Sequence, residues 1–174
     1  MTSVGMHNWR ADDSHPLSFA GRNYVSLVIA VHPDCPASRE TLREAVRICY
    51  RVPGEVKVTA LVFGENEKEI SHNSMFDGLA KVKSRILSDT SGEVSRRLGL
   101  TNSAQALLFS PNGNLLYSGS ITASPERLSN AGEETVVEII NGSTITSVVT
   151  APHGCSLENG ICAHEHGLKT ASNL

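Results

Sequence analysis

Val25-Ser-Leu-Val-Ile-Ala-Val31-His32-Pro-Asp-Cys35-Pro-Ala-Ser38 is the stretch that decides how this chain folds. Its first seven residues are an apolar run of strand length, and a helical pattern begins at Arg39. The Cys-Pro-x-Ser turn between them sets the Cys35 sulfur at the first turn of a helix. Unpaired backbone N–H groups and the helix dipole there favour thiolate over thiol, and the thiolate is the nucleophile. Pro36 suits that turn, since its fixed φ fits and its missing N–H has no helical partner to lose. The competing reading is a buried structural cysteine that ends a strand. His32, three residues earlier, can lower the thiol pKa as a cation, take its proton as a neutral base, or simply cap the strand end. Ser38 either donates a hydrogen bond to the thiolate or serves as a good first-turn residue.

The 174 residues suffice for one domain with a proper core. Apolar content of 40% and charged content of 19% are ordinary for a globular protein. A net charge of −3, without a basic cluster, argues against a nucleic-acid or anionic-membrane surface. No apolar run approaches the roughly 20 residues that span a bilayer. The N-terminus shows no basic start with an apolar core, hence no visible signal peptide. A periplasmic or membrane-tethered location follows if an N-terminal segment has been removed, and a cytoplasmic one otherwise.

Outward from the opening stretch, residues 1–23 read as an extended arm or linker. A helix is predicted over 37–51 and ends at Pro53-Gly54, and 56–63 form a second apolar strand. Residues 65–72 read as a charged loop, 75–82 as a short helix and 84–87 as a short strand. Thr90-Ser-Gly-Glu93 reads as a capping box for a helix that closes at Leu98-Gly99. Strands 106–109 and 115–118 flank a Pro111-Asn-Gly113 turn. A last helix starts near Asn130 and stops at Asn141-Gly142. The order β-α-β-α-β-α-β-β-α predicts an α/β fold with parallel pairs across the helical crossovers and an antiparallel C-terminal hairpin. Helices then cover both faces of this mixed central sheet.

Four segments, with a fifth near the C-terminus, sharpen this into a resemblance. They are His32-Pro-Asp-Cys35-Pro-Ala-Ser38, Ser103-Ala-Gln-Ala-Leu-Leu-Phe109, Leu115-Leu-Tyr-Ser-Gly-Ser-Ile-Thr122, Asn130-Ala-Gly132 and Gly154-Cys155. Together they resemble the RedB-like subgroup of thioredoxin-like proteins. The resemblance covers roughly residues 24–157 and implies a thioredoxin-like fold with a redox site at Cys35 and Cys155, and the chain divides into a thioredoxin-like domain over 24–142 and a tail over 143–174. Two departures stand out. Ser38 replaces the second cysteine of a Cys-x-x-Cys site, so no local thiol can release a mixed disulfide. The family's cis-proline position falls near Ala104-Gln105, where there is no proline.

Cysteines occur at 35, 49, 155 and 162. Cys49 lies on the same predicted helix as Cys35, about 20 Å away, too far for a disulfide. Cys49 shares helical spacing with Leu42, Ala45 and Val46 and reads as core. The tail gathers His153, Cys155, Cys162, His164 and His166, donors that suit zinc or copper. The same tail can instead be loose and polar, or hold a Cys155–Cys162 disulfide.

Three functions therefore stay open. The first is a thiol redox protein, possessing no required cofactor, in which Cys35 attacks protein or small-molecule disulfides, His32 and Ser38 assist, and Cys155 resolves. The second is a metal-binding module built on the tail. The third is a thioredoxin-like binding domain without turnover.

Overall fold

A computed structural model describes residues 21–122, 131–143, 147–152 and 154–157. Its strands are β1 Val25–Val31, β2 Val56–Val62, β3 Arg85–Ser88, β4 Gln105–Phe109, β5 Leu115–Ser120 and β6 Val148–Val149. Its α-helices are α1 Pro36–Arg51, α2 Glu67–His72, α3 Asp77–Lys81, α4 Glu93–Arg97 and α5 Ala131–Ile140, with a 3-10 turn at Ser74–Phe76. One six-stranded sheet runs in the order β3-β2-β1-β4-β5-β6.

All seven residues of β1 are buried, because both faces of the sheet are covered. Leu27, Ile29 and Val31 point to a large core with Leu42, Ala45 and Ile48 of α1, Leu79 of α3 and Val136 and Val137 of α5. Val28 and Ala30 point the other way, toward Leu61, Leu98, Leu100, Leu107, Phe109 and Leu157. The period-2 alternation of a strand thus feeds two cores. Each buried Leu or Ile contributes roughly 1.5–3 kcal/mol of transfer free energy.

The helix boundary at Cys35 follows the sequence closely. Cys35 is the N-cap of α1, and Pro36 takes the first helical position. At the other end of the domain, Gly132 permits α5 to start against the sheet. A Cβ there would lie 2.1 Å from the Ser120 carbonyl oxygen and 2.9 Å from the Tyr117 hydroxyl.

Four features differ from the sequence reading. Residues 65–72 are not all loop, because Asn66 caps α2 through the N–H groups of Lys68 and Glu69, and Glu69 answers the N–H of Asn66. Thr90 caps nothing. Gly92 is the N-cap of α4, in a left-handed conformation, and the buried Asp89 carboxylate accepts the N–H groups of Val94 and Ser95. β4 enters antiparallel to β1, so the hairpin sits inside the sheet with β4 as its one reversed strand. The outer strand is β6, parallel to β5 and drawn from the segment read as tail. Of the N-terminal arm, residues 1–20 lie outside the described residues.

Candidate active site

β1 delivers the chain to the site at its C-terminal end, and β4 begins beside it. Cys35 is 2% exposed. Its N–H donates to the His32 carbonyl at 3.0 Å, and its own carbonyl accepts the Ser38 N–H at 3.1 Å. His32 lies in the loop after β1, Cys35 closes that loop as the N-cap of α1, and Ser38 stands in the first turn of the helix. The buried Ser38 hydroxyl accepts the His32 N–H at 3.1 Å and so ties the loop to the first turn of α1. The His32 Nδ1 accepts the Asp34 N–H at 3.2 Å, which puts the proton of a neutral ring on Nε2. That ring stands against Phe63, centroid to centroid 5.8 Å.

The other half of the site arrives from the tail. Residues 154–157 lie along the approach to β4, with a bridge between Asn102 and Ser156. The Ser103 N–H donates to the Cys155 carbonyl at 2.8 Å, and the Cys155 N–H donates to the Ser103 Oγ at 3.0 Å. The Asn102 side chain donates to the Gly154 carbonyl at 3.1 Å, and the Leu157 N–H donates to the Thr101 carbonyl at 2.9 Å. This short ladder holds the Cys155 Sγ 3.4 Å from the Cys35 Sγ, near van der Waals contact and well beyond a bond of about 2.05 Å. Cys35 and Cys49 carry free thiols. Cys155 is disulfide-bonded.

Burial works against a Cys35 thiolate. The Ser103 hydroxyl and the backbone N–H groups of Cys155, Ser38 and Ala37 outweigh it, so the thiol pKa falls below its ordinary value. Ser103 accepts with its oxygen from Cys155 and is left with its proton to offer the sulfur. Cys49 shows the opposite balance. On the flank of α1 beside the larger core, its thiol is pushed up to about 11 by burial.

Ala104 occupies the place where the family resemblance would put a cis-proline. It is fully buried in the left-handed region at φ 68°, and its N–H donates to the Ala30 carbonyl at 2.7 Å. There are no cis peptide bonds among the described residues. A left-handed alanine costs of order 1–2 kcal/mol, held here by the packing around it.

Sequence reasoning missed Ser103 as a site residue, although it opens one of the segments that carried the resemblance. The signal lay in its position next to the absent proline, facing the cysteine. Of the tail donors, His153, Cys162, His164 and His166 fall outside the described residues, and no group of three or more His, Cys, Asp or Glu side chains converges among those described.

No family model matches the sequence, and no curated protein matches it as a relative. Solved structures do match by shape. An uncharacterised conserved protein from Geobacillus kaustophilus has a TM-score of 0.58 at 15% identity, covering 79% of this chain and 78% of that one. A secreted disulfide oxidoreductase of Mycobacterium tuberculosis, homologous to E. coli DsbE, has a TM-score of 0.52 at 12% identity, covering 68% and 84%. The exposed lipoprotein thioredoxin of Streptococcus pneumoniae has a TM-score of 0.51 at 12% identity, covering 70% and 86%. At this identity the likeness establishes the fold. The chain has the thioredoxin-like fold, a mixed sheet between helices with Cys35 at the end of its central strand.

Proposed function

We propose that this chain is a thiol-redox protein of the RedB-like kind, with Cys35 as the attacking thiol and Cys155 as its resolving partner. One observation carries the reading: two sulfurs 120 positions apart in sequence lie 3.4 Å apart, one of them a thiol with a pKa held below its ordinary value. A Cys-Pro-x-Ser turn lacks a local second sulfur, and Cys155 supplies one from the tail.

In the reduced chain, the Cys35 thiolate attacks a substrate disulfide. One sulfur of the substrate joins Cys35 and the other leaves as a thiolate. Cys155, as thiolate, then attacks the Cys35 sulfur, which forms a Cys35–Cys155 disulfide and releases the second substrate thiolate. Two electrons have passed to the substrate, and the same steps in reverse oxidise a dithiol. His32 and Ser38 fix the loop that aims the first sulfur, while Ser103 holds the second. Protein disulfides are the substrate class that fits, in a compartment outside the cytoplasm. The secreted and surface-exposed character of two of the structural neighbours supports that placement.

The test is a trap with oxidised glutathione on the fully reduced chain. With Cys155→Ser, a Cys35–glutathione mixed disulfide accumulates, because nothing resolves it. With Cys155 present, the adduct is short-lived and a Cys35–Cys155 linkage replaces it. Absence of any Cys35 adduct in the Cys155→Ser chain overturns the reading.

A further inference from the structure

α1 carries a row of arginines that the sulfur chemistry does not use. Arg39, Arg43 and Arg47 follow one another at four-residue spacing, so they share one flank of the helix at steps of about 6 Å. They stand along a groove of about 390 Å³ between α1 and the segment that runs through the 3-10 turn into α3. Leu42, Val46, Met75 and Leu79 give that groove its apolar lining, and no carboxylate lines it. Three cations therefore stand together on a chain whose net charge is −3. Arg43 bonds Glu40 and Arg47 bonds Glu44, each through one guanidinium nitrogen. Arg39 has no ion-pair partner among the described residues. A guanidinium has five N–H donors, so all three arginines keep donors for a further carboxylate.

We propose that this groove binds an extended acidic segment of a partner protein. Its carboxylates, at alternate positions, meet the arginines, and the side chains between them enter the apolar lining. The two repeats agree, since alternate residues of a strand are about 6.6–6.8 Å apart and the arginines about 6 Å. Three guanidiniums spread over about 12 Å call for several anionic groups in a row, which a small carboxylate does not provide. A single-stranded nucleic acid also offers a row of charges, but no aromatic ring lines the groove to stack a base. Two turns of helix, a cylinder about 10 Å across, occupy roughly 850 Å³, more than the groove holds.

The groove begins at Arg39, one helical turn beyond Cys35, so a segment seated in it is held beside the sulfur site. That consequence rests on the thiol-redox reading, while the binding itself does not.

The test is fluorescence anisotropy of a labelled, sulfur-free heptapeptide of alternating glutamate and leucine, titrated with the full chain. The expected result is saturable binding that weakens as salt is raised, with none for the same peptide carrying glutamine in place of glutamate. Arg39→Ala should weaken binding about fivefold or more, and the double variant Arg39→Glu, Arg43→Glu should abolish it at an unchanged thermal midpoint. Arg97→Ala removes an equally exposed arginine from α4 and should change nothing. Equal binding of the glutamine peptide, equal binding by the double variant, or an equal loss with Arg97→Ala overturns the proposal. Displacement of the peptide by decanoate at comparable affinity also overturns it, because the groove is then a site for a small amphipathic anion. The probe has no sulfur, so absence of binding removes the groove and leaves the Cys35–Cys155 pair standing. Failure of the glutathione trap does the reverse.

Discussion

Gly154 approaches Ser103 so closely that a Cβ added to it would lie 1.8 Å from the Ser103 carbonyl oxygen. Its φ of 119° is also one that L side chains rarely adopt. The tail therefore reaches the site only because the residue before Cys155 has no side chain. Gly154→Ala should push residues 154–157 off the ladder. In a Cys162→Ser background, the equilibrium constant for the Cys35–Cys155 disulfide in glutathione buffers should drop about tenfold or more, equivalent to ~1.4 kcal/mol. An unchanged constant would show that the close approach does not position the sulfur.

Ser103→Ala removes one donor to the Cys35 sulfur and the acceptor of the Cys155 N–H. The Cys35 titration, followed by alkylation rate against pH on a Cys155→Ser chain, should move upward. Each pKa unit of upward shift corresponds to about a tenfold slower reaction below the midpoint. A midpoint that stays put would assign the depression to the backbone N–H groups of Cys155, Ser38 and Ala37.

Cys35 and Cys49 should separate cleanly by iodoacetamide labelling at neutral pH. With its thiol at about 11, Cys49 is thiolate to only roughly one part in ten thousand at pH 7. Cys35, depressed below its ordinary value by the Ser103 hydroxyl and neighbouring backbone N–H groups, is ionised to a far larger fraction at the same pH. Comparable labelling of the two in folded, reduced protein would contradict the activated thiol.

A second buried ionisable group bears on stability. Glu44 on α1 and Glu133 on α5 are both largely buried, with Arg47 bonded to the first at 2.6 Å and Arg51 to the second at 3.1 Å and to Glu134 at 2.8 Å. Burial, and then the neighbouring Glu133 carboxyl, hold the Glu44 pKa above its ordinary value despite Arg47. A raised carboxyl stabilises the fold below its unfolded pKa and loses that contribution as pH rises through the folded one. Glu44→Gln should therefore raise the thermal midpoint at pH 7 by roughly 2–4 °C and flatten the decline between acid and neutral pH. A lower midpoint would mean that the charged form is the stabilising one.

The parts legible in the sequence were those written in short-range patterns. The seven-residue run of β1, Pro36 after Cys35, and the Pro111-Asn-Gly113 turn each state their structure locally, and all three stand as read. The Asn66 cap was equally local but hidden among charges, and α2 was read as loop for that reason. β4 took its direction from pairing with β1, which no local pattern encodes. The same holds for the site. A turn containing Cys35 can be seen in ten residues, whereas the docking of Cys155 depends on hydrogen bonds between segments 52 positions apart. A single buried hydroxyl such as Ser103 leaves no periodic trace.

The contact that brings Cys155 to Cys35 also makes the chain its own first ligand. Cys35 is 2% exposed with the 154–157 ladder in place. An incoming partner must therefore take the position that Cys155 already fills. Its apparent affinity is the intrinsic one multiplied by the fraction of molecules in which the ladder is open. Selectivity then lies in what a partner can offer Thr101, Asn102 and Ser103 in exchange for the hydrogen bonds it displaces. On the proposed redox reading, an extended strand from a partner is the segment that can pair with those three residues in place of 154–157.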